Sequence, residues 1–144
     1  MIITNEVSHK VVYLSQTYPG KTHDKKVAEQ EAIQYPPHST LTKDTGFQGY
    51  DPLGVWTVQP KKKPKGKLLG TVDQLSNRFI ASVRIKIEHV LAGVKRCRIV
   101  REVLRNTKDG FSDLVMQIAC GLHNLRVTFR QPSSPSPNPV AYSR

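Results

Sequence analysis

Long apolar segments are absent from this sequence. No run of about 18 apolar residues, the length that a membrane-spanning helix requires, occurs among its 144 residues. No apolar stretch typical of a secretory signal peptide precedes the first polar residues. We therefore expect a cytoplasmic protein that has no membrane partner.

Cysteine is also scarce, since Cys97 and Cys120 are the only two. They are too few and too far apart to form a disulfide framework or a zinc site. We predict that both are small core residues in a reduced cytosol. The five histidines are scattered without the spacing of metal ligands.

Acidic residues are outnumbered two to one, because 22 lysines and arginines face 11 aspartates and glutamates. The resulting net charge of +11 and the pI of about 9.9 indicate a polyanionic partner, nucleic acid before membrane. The basic residues are densest in the segment 60–67, which reads PKKKPKGK. This segment is either a solvated linker or an arm that contacts phosphates. Its lysines are Lys61, Lys62, Lys63, Lys65 and Lys67.

The chain is organised around residues 72–100, in which apolar residues recur every three or four positions. This period predicts an amphipathic helix that kinks or continues past Gly93 toward Leu104. Arg84, Glu88 and Lys95 share a polar stripe beside the apolar face. The stripe is either a solvated surface with an Arg–Glu ion pair or the lip of a cleft. The predicted buried residues are Phe79, Ile80, Val83, Ile87, Val90, Leu91 and Val94.

The remaining segments predict a mixed α/β domain over residues 1–130. A second apolar helix over 111–129 is expected to pack against the first as core through Phe111, Leu114, Val115, Ile118, Ala119, Leu122 and Leu125. Residues 131–144 are rich in Ser and Pro, which favours a disordered tail. The predicted strands are 1–4, 10–15, 39–43 and 55–59, and a helix is predicted over 24–33, capped by Thr22 or His23.

Two carboxylates of this pattern are expected to meet. Asp44 follows the predicted strand 39–43, where polar residues collect at one edge of a mixed sheet. If Glu88 faces the same edge, the two carboxylates repel unless a cation binds between them, and hard oxygen ligands suit Mg²⁺ or Mn²⁺. Such an ion beside a basic groove is what metal-assisted phosphodiester hydrolysis requires.

Several stretches together are similar to one known family. They are YLSQTYPGKTHDKK (13–26), STLTKDTGFQGY (39–50), QPKKKPKGK (59–67), NRFIASVRIKIEHVLAGVKRCRIV (77–100) and GFSDLVMQIACGLHNLRV (110–127). The sequence resembles the catalytic domain of DDE-superfamily transposases, the insertion-sequence and Harbinger-like group called DDE superfamily endonucleases. The resemblance covers about residues 9–130. It implies an RNase H-like fold in which three acidic residues bind two divalent ions, Mg²⁺ or Mn²⁺.

The resemblance also implies roles for individual residues. Asp44 in D-T-G-F matches the second catalytic acid, and Glu88 in R-x3-E-x6-K matches the third. Arg84 and Lys95 complete the helix signature as DNA-contacting or supporting residues. Asp24 in the His-Asp motif is expected near the site but outside the direct metal ligands. The expected DNA-binding residues are Lys61, Lys62, Lys63, Lys65, Lys67, Arg96 and Arg98.

Two departures from the family pattern bear on activity. The first catalytic Asp of the family stands on an opening strand, well upstream of what is here Val11. Many relatives place a Tyr three residues before the Arg, where this chain has Ala81. We therefore expect a partial RNase H-like mixed sheet that lacks its opening strand, in a truncated C-terminal part of the catalytic domain that is inactive alone.

Three interpretations remain open for the function. The first is a metal-dependent DNA endonuclease and strand-transfer domain, completed by a full-length transposase or an N-terminal fragment. The second is a non-enzymatic basic module that binds DNA or a transposase as a regulator or inhibitor. In either case we expect the cytoplasmic protein to be associated with the nucleoid if the source is bacterial. The third is a degenerate reading frame. The sequence therefore does not decide whether the chain is an enzyme.

Overall fold

The computed structural model describes residues 1–61, 63, 66 and 68–130 of the chain. The predicted tail 131–144 and the residues Lys62, Lys65 and Lys67 lie outside this described part. No helix within it is long and apolar enough to cross a membrane. The elements are strands β1 (Ile2–Thr4), β2 (Val11–Leu14), β3 (Thr40–Thr42) and β4 (Trp56–Val58), and helices α1 (Asp24–Glu31), α2 (Thr71–Val94), α3 (Arg98–Arg101) and α4 (Phe111–Phe129).

β1 and β2 form an antiparallel hairpin, as the first two predicted strands suggested. Ile2 pairs with Leu14 and Ile3 with Tyr13, and the register shifts before Thr4. The side chain of Asn5 organises the turn, because its Oδ1 accepts hydrogen bonds from the backbone N–H groups of residues 7 and 8 at 3.0 and 2.8 Å. Asparagine favours such turns because its side chain bonds to the backbone two or three residues on.

β3 and β4 form a second, parallel sheet, in which Thr40 pairs with Trp56 and Thr42 with Val58. The described residues therefore contain two separate two-stranded sheets. The prediction of a mixed α/β chain is confirmed, but the prediction of one mixed sheet is wrong for this part of the chain. Pairing of strands depends on contacts between distant segments, which the local alternation of side chains does not determine.

α1 begins and ends at residues with clear local causes. Nδ1 of His23 accepts a hydrogen bond from the backbone N–H of Lys25 at 3.3 Å, so His23 rather than Thr22 is the N-cap. Ala32 has a left-handed backbone (φ 44°) that stops the helix before the predicted residue 33. Glu31 in the last turn accepts hydrogen bonds from the hydroxyls of Tyr13 and Tyr18, which tie α1 to the hairpin. The bond from Tyr13 to Glu31 stabilises the protonated phenol and raises the pKa of Tyr13 to about 12.

α2 is the long central helix, and it is shorter than predicted. It ends at Val94, where Lys95 caps it and donates its N–H to the carbonyl of Leu91 at 2.9 Å. The chain then breaks and resumes as the four-residue α3. The buried face of α2 consists of Ile80, Val83, Val90 and Val94. Phe79 was predicted as core but is 63% exposed, while Ile87 and Leu91 are half-buried.

α4 has the predicted bounds, Phe111–Phe129. It packs against β2 and α2 in a core cluster of Val11, Val90, Val94, Ala119 and Cys120. Cys97, half-buried, packs against this cluster, so both cysteines contribute to the core as predicted. The prediction was wrong for the largest apolar residues of α4. Its buried residues are Val115, Ala119, Cys120 and His123, whereas Leu114, Ile118, Leu122 and Leu125 are 51–56% exposed.

Two polar side chains of α4 fix it to its neighbours. The imidazole of His123 is buried against Gly93 of α2, and its Nε2 bonds to the carbonyl of His9 at 2.9 Å. The side-chain amide of Asn124 accepts from the N–H of Val11 and donates to its carbonyl, both at 2.8 Å. Asn124 therefore satisfies the backbone of Val11 as a neighbouring strand would.

Candidate active site

Asp44 lies two residues beyond the carboxyl end of β3, at the edge where it was predicted. It caps a single 3₁₀ turn, Thr45–Phe47, by accepting a hydrogen bond from the N–H of Thr45 to Oδ1 at 2.7 Å. Gln59, just after β4, donates its side-chain amide to the carbonyl of Asp44 at 3.2 Å. The side chain of Asp44 is 53% exposed, so its Oδ2 faces the surface of the protein.

Lys43, the neighbour of Asp44, anchors the loop from the inside. Its side chain is only 6% exposed, and its Nζ bonds to the carbonyl of Tyr50 and to Oδ1 of Asp51, the latter at 2.7 Å. The bond from Lys43, with a second bond from the hydroxyl of Thr57, holds the pKa of Asp51 below its ordinary value. The sequence analysis did not predict this pair, although Lys43 ends a predicted strand directly before the candidate site residue Asp44.

Arg84 of α2 reaches the loop from the other side. Its Nη2 lies 3.7 Å from Oδ2 of Asp44, and both side chains are about half exposed. A pair this exposed adds at most about 1 kcal/mol to stability. The pair matters for the position of the two segments, because it holds the polar stripe of α2 against the loop that follows β3. The described residues do not show the Arg84–Glu88 ion pair that one interpretation of the stripe expected, because Arg84 pairs with Asp44 instead.

Glu88 stands one helical turn beyond Arg84 on the same stripe. Residues four apart on a helix have their Cβ atoms about 5–6 Å from each other. The carboxylate of Glu88 is exposed and has neither an ion pair nor a hydrogen bond with the residues that the structure describes. Asp44 therefore contacts the stripe of α2 that carries Arg84 and Glu88.

Asp24, in the first turn of α1, contacts the same 3₁₀ turn. A Cβ atom added to Gly46 would lie 2.6 Å from Oδ2 of Asp24, so glycine is what allows this approach. Asp24 and Asp44 thus both border the D-T-G-F segment. Even so, no three His, Cys, Asp or Glu residues of the described part form a group that could hold a metal ion.

The predicted DNA-binding residues that are described lie on the surface. Lys61 forms an ion pair with Asp73 at 2.7 Å, and its backbone N–H and carbonyl both bond to the side chain of Asn77 at 3.0 Å. These contacts fix the start of the lysine-rich loop to the first turns of α2, which the sequence pattern did not indicate. Lys63, Lys95 and Arg96 are exposed, and Arg98 pairs with Glu102 at 3.4 Å.

Comparison with known proteins identifies the family. The family model described as DDE superfamily endonuclease matches residues 1–124. The chain belongs to this family. The resemblance found in the sequence motifs is thereby confirmed.

One curated relative of this chain is the probable transposase for insertion sequence element IS702 of Microchaete diplosiphon. The two are 27% identical over 111 residues, which are 77% of this chain and 40% of the relative. The chain thus spans about two fifths of the length of that relative. No solved structure matches the chain.

Proposed function

We propose that this chain acts in the cleavage and joining of DNA ends, with Asp44 and Glu88 as carboxylates of a divalent-metal site. The observation that carries this proposal is the contact between Arg84 and Asp44 at 3.7 Å. It brings the loop after β3 to the stripe of α2 that also carries Glu88. Membership of the DDE superfamily endonucleases and the transposase relative support the same reaction class.

The donor chemistry of the two carboxylates fits Mg²⁺ or Mn²⁺. Oδ1 of Asp44 is bonded to the N–H of Thr45, which orients the group, and Oδ2 faces the guanidinium of Arg84, which has to turn aside for a divalent ion to bind there. Glu88 offers two carboxylate oxygens, and water ligands complete the shell of an ion that needs only one or two carboxylates. When bound, such an ion polarises the phosphodiester and stabilises the charge that develops on its oxygens.

The residues of the chain itself hold the substrate in this proposal. Arg84, beside Asp44, is placed to donate paired hydrogen bonds to a DNA phosphate. Lys95, which caps α2, adds positive charge at the end of the same helix. Asp24 supports the 3₁₀ turn across Gly46 without binding the metal directly. Lys43 and Asp51 hold the backbone next to Asp44 in place.

We further propose an RNase H-like arrangement of the two sheets. β1 and β3 each have one side without a strand partner among the described residues. A strand that paired with both would join the two small sheets into one mixed sheet of the kind the family resemblance implies. This strand would also carry the first catalytic Asp of the family, which the resemblance matches to no residue of this chain.

A second candidate function is a non-enzymatic module that binds DNA. The absence of a three-ligand group in the described part of the chain favours it, since the family mechanism uses three acids. The net charge of +11 and the exposed lysines and arginines provide the affinity for phosphates. Under this proposal the chain binds DNA as a regulator and does not cleave it.

Metal binding separates the two candidates. We expect weak Mn²⁺ binding by the wild-type chain in calorimetry, and a loss of at least about tenfold in affinity in both Asp44→Ala and Glu88→Ala, because each removes one of two carboxylate ligands. Asp24→Ala should weaken binding less, since that residue acts through the turn. The matched control is Glu102→Ala, which removes an exposed carboxylate just after α3.

If Asp44→Ala and Glu88→Ala bind Mn²⁺ as tightly as the wild type, the cleft is not a metal site and the binding-module function should replace it. A parallel assay of plasmid nicking with Mn²⁺ tests the reaction. We expect the chain alone to nick slowly or not at all, because only two of the three family acids are assigned.

Binding to DNA is expected to be sensitive to salt and largely independent of sequence. Each contact between a lysine and a phosphate adds about 0.9 to the slope of log affinity against log salt concentration. Replacing Lys61, Lys62 and Lys63 together with Ala should therefore reduce the slope, measured by fluorescence anisotropy with duplexes of two unrelated sequences.

The control for net charge removes three other positive charges, Lys10, Lys108 and Arg130, which lie outside the lysine-rich loop. The slope of this control should stay closer to that of the wild type. An identical slope in the two triple variants would show that the loop does not contact phosphate.

A further inference from the structure

The polar stripe of α2 continues toward the start of the helix as far as Asn77. This residue lies about two helical turns before Arg84 and about five turns before Lys95, so all three project to the same side of α2. Ala81 and Ala92 fall on this side as well, and both are exposed. Only small side chains therefore separate the polar ones, and a long partner can lie close to the helix along the stripe.

The lysine-rich loop begins at this end of the stripe. The backbone N–H and carbonyl of Lys61 are both bonded to the side chain of Asn77 at 3.0 Å. Two residues earlier, Gln59 donates its side-chain amide to the carbonyl of Asp44 at 3.2 Å. The chain therefore passes from the loop after β3 directly to the start of the stripe. The side chain of Lys61 is paired with Asp73 but is 68% exposed, so a phosphate can replace that carboxylate at little cost.

Positive charge lies at both ends of the stripe and along its length. At a rise of about 1.5 Å per residue, Arg84 lies about 10 Å along the axis from Asn77, where Lys61 is attached. Lys95, which Arg96 follows directly, lies about 27 Å from the same point. Lys95 and Arg96 are exposed. Since duplex DNA rises about 3.4 Å per base pair, this length corresponds to about eight base pairs.

We propose that duplex DNA binds along the polar stripe of α2, from Lys61 to Lys95 and Arg96, over about eight base pairs. This path rests on the proposed function, which makes DNA the partner, and it gives the duplex a direction past Asp44 and Glu88. The contacts are made to phosphates, so they fix the position of the duplex without reading its sequence. A duplex that crossed α2 instead would contact one end of the stripe only.

One charge on this path is unfavourable. The carboxylate of Glu88 is exposed and lies between Arg84 and Lys95 along the stripe, where it repels phosphates when no cation is bound. Removing this charge should therefore raise the affinity for DNA. A residue that only supported the fold would not have an effect of this sign.

The opposite side of α2 offers matched controls. Lys86 lies midway between Asn77 and Lys95 in the sequence, about two and a half turns from each, which places it on the side away from the stripe. Its Nζ forms an ion pair with Glu6 of the hairpin turn at 2.8 Å. Lys86 and Glu6 thus carry the same charges as Lys95 and Glu88 but lie off the path.

Fluorescence anisotropy with a duplex of about 12 base pairs, in buffer with EDTA, tests the path. Lys95→Gln should weaken binding at least about twofold and reduce the salt slope by about 0.9, because one phosphate contact is lost. Glu88→Gln should raise the affinity about twofold to fivefold at low salt. Lys86→Gln and Glu6→Gln should change both quantities less. Equal effects on the two sides of α2 would overturn the path.

Stem-loop DNAs with stems of about 5 to 16 base pairs test its length. A stem shorter than about eight base pairs reaches only one end of the stripe, so the salt slope should rise by about 1–2 near that length. The double variant Lys95→Gln, Arg96→Gln should lose this rise. A rise of the same size in the double variant would show that the duplex does not extend to Lys95.

These measurements also separate the path from the proposed function. Because they are made without divalent metal, they do not depend on whether Asp44 and Glu88 bind an ion. Failure to bind DNA of any length would contradict the proposed function itself. Binding with equal effects on the two sides of α2 contradicts the path alone.

Discussion

Replacing Gly93 with Ala is expected to lower the free energy of unfolding by about 3 kcal/mol. The new Cβ would lie 2.6 Å from Cε1 of His123 and 2.8 Å from Nη2 of Arg126, and it would also overlap Nδ1 of the same imidazole. The ring cannot move away freely, because it is buried and its Nε2 is bonded to the carbonyl of His9. Relief of the overlap therefore separates α2 from α4 or breaks that bond.

The matched control is the same substitution at Gly121, in the exposed middle of α4. Nothing lies within 4 Å of its Cβ position, so Ala should stabilise the helix by about 0.5–1 kcal/mol through its higher helix propensity. Both variants are compared with the wild type by urea unfolding, at concentrations where the chain is monomeric. A destabilisation below about 1 kcal/mol at Gly93 would show that the imidazole has room to rearrange.

Replacing Asn124 with Ala is expected to cost about as much, about 3 kcal/mol. Its amide both accepts from the N–H of Val11 and donates to the carbonyl of Val11, at 2.8 Å in each case. Val11 is buried in the core cluster, so the substitution leaves two backbone groups without partners away from water. Each such group costs about 1–3 kcal/mol.

Two variants give this measurement its controls. Asn106→Ala removes a single bond, from the N–H of Lys108 to an exposed side chain, and should change the free energy of unfolding by less than about 1 kcal/mol. Asn124→Asp keeps the acceptor for the N–H of Val11 but cannot donate to its carbonyl, so it should fall between Ala and the wild type. Equal stability of Asn124→Ala and the wild type would mean that water replaces both bonds.

Local sequence signals predicted the helices well. The period of apolar residues gave the bounds of α4, and the candidate caps Thr22 and His23 gave the start of α1. The end of α2 at Val94 was less clear from the pattern. The pattern predicted that the helix kinks or continues past Gly93, whereas this glycine leaves space for the imidazole of His123. The pattern of α2 cannot show this, because the imidazole comes from a residue 30 positions away.

The burial of apolar residues was harder to predict than their periodicity. The pattern shows that Leu114, Ile118, Leu122 and Leu125 lie along one side of α4, but it does not show which side meets α2. The smaller residues Val115, Ala119 and Cys120 fit the close packing at β2 and α2, and the larger ones are left outside. His123 was dismissed as one of several scattered histidines, although a single histidine within an apolar helix is often a buried, hydrogen-bonded one.

The sequence predicted where the residues of the candidate site lie on their strand and helix, but it did not predict which of their side chains form ion pairs. The position of Asp44 after β3 and the shared stripe of Arg84 and Glu88 follow from the periods of strand and helix. The contact of Arg84 with Asp44, and the pair of Lys43 with Asp51, join segments that only the tertiary fold brings together. Spacing along the chain favoured an Arg84–Glu88 pair because it considers only neighbours on one helix.

The bond between Asn124 and Val11 has a consequence for how this chain can aggregate. An uncovered strand is a template on which other chains can add, by hydrogen bonds to its free N–H and carbonyl groups. On β2 the outward groups of Val11 are already occupied by the side chain of Asn124, so a foreign strand cannot extend the hairpin there without displacing α4. Among the described residues, α4 thus blocks strand addition at the start of β2, so growth of the sheet is favoured along β1.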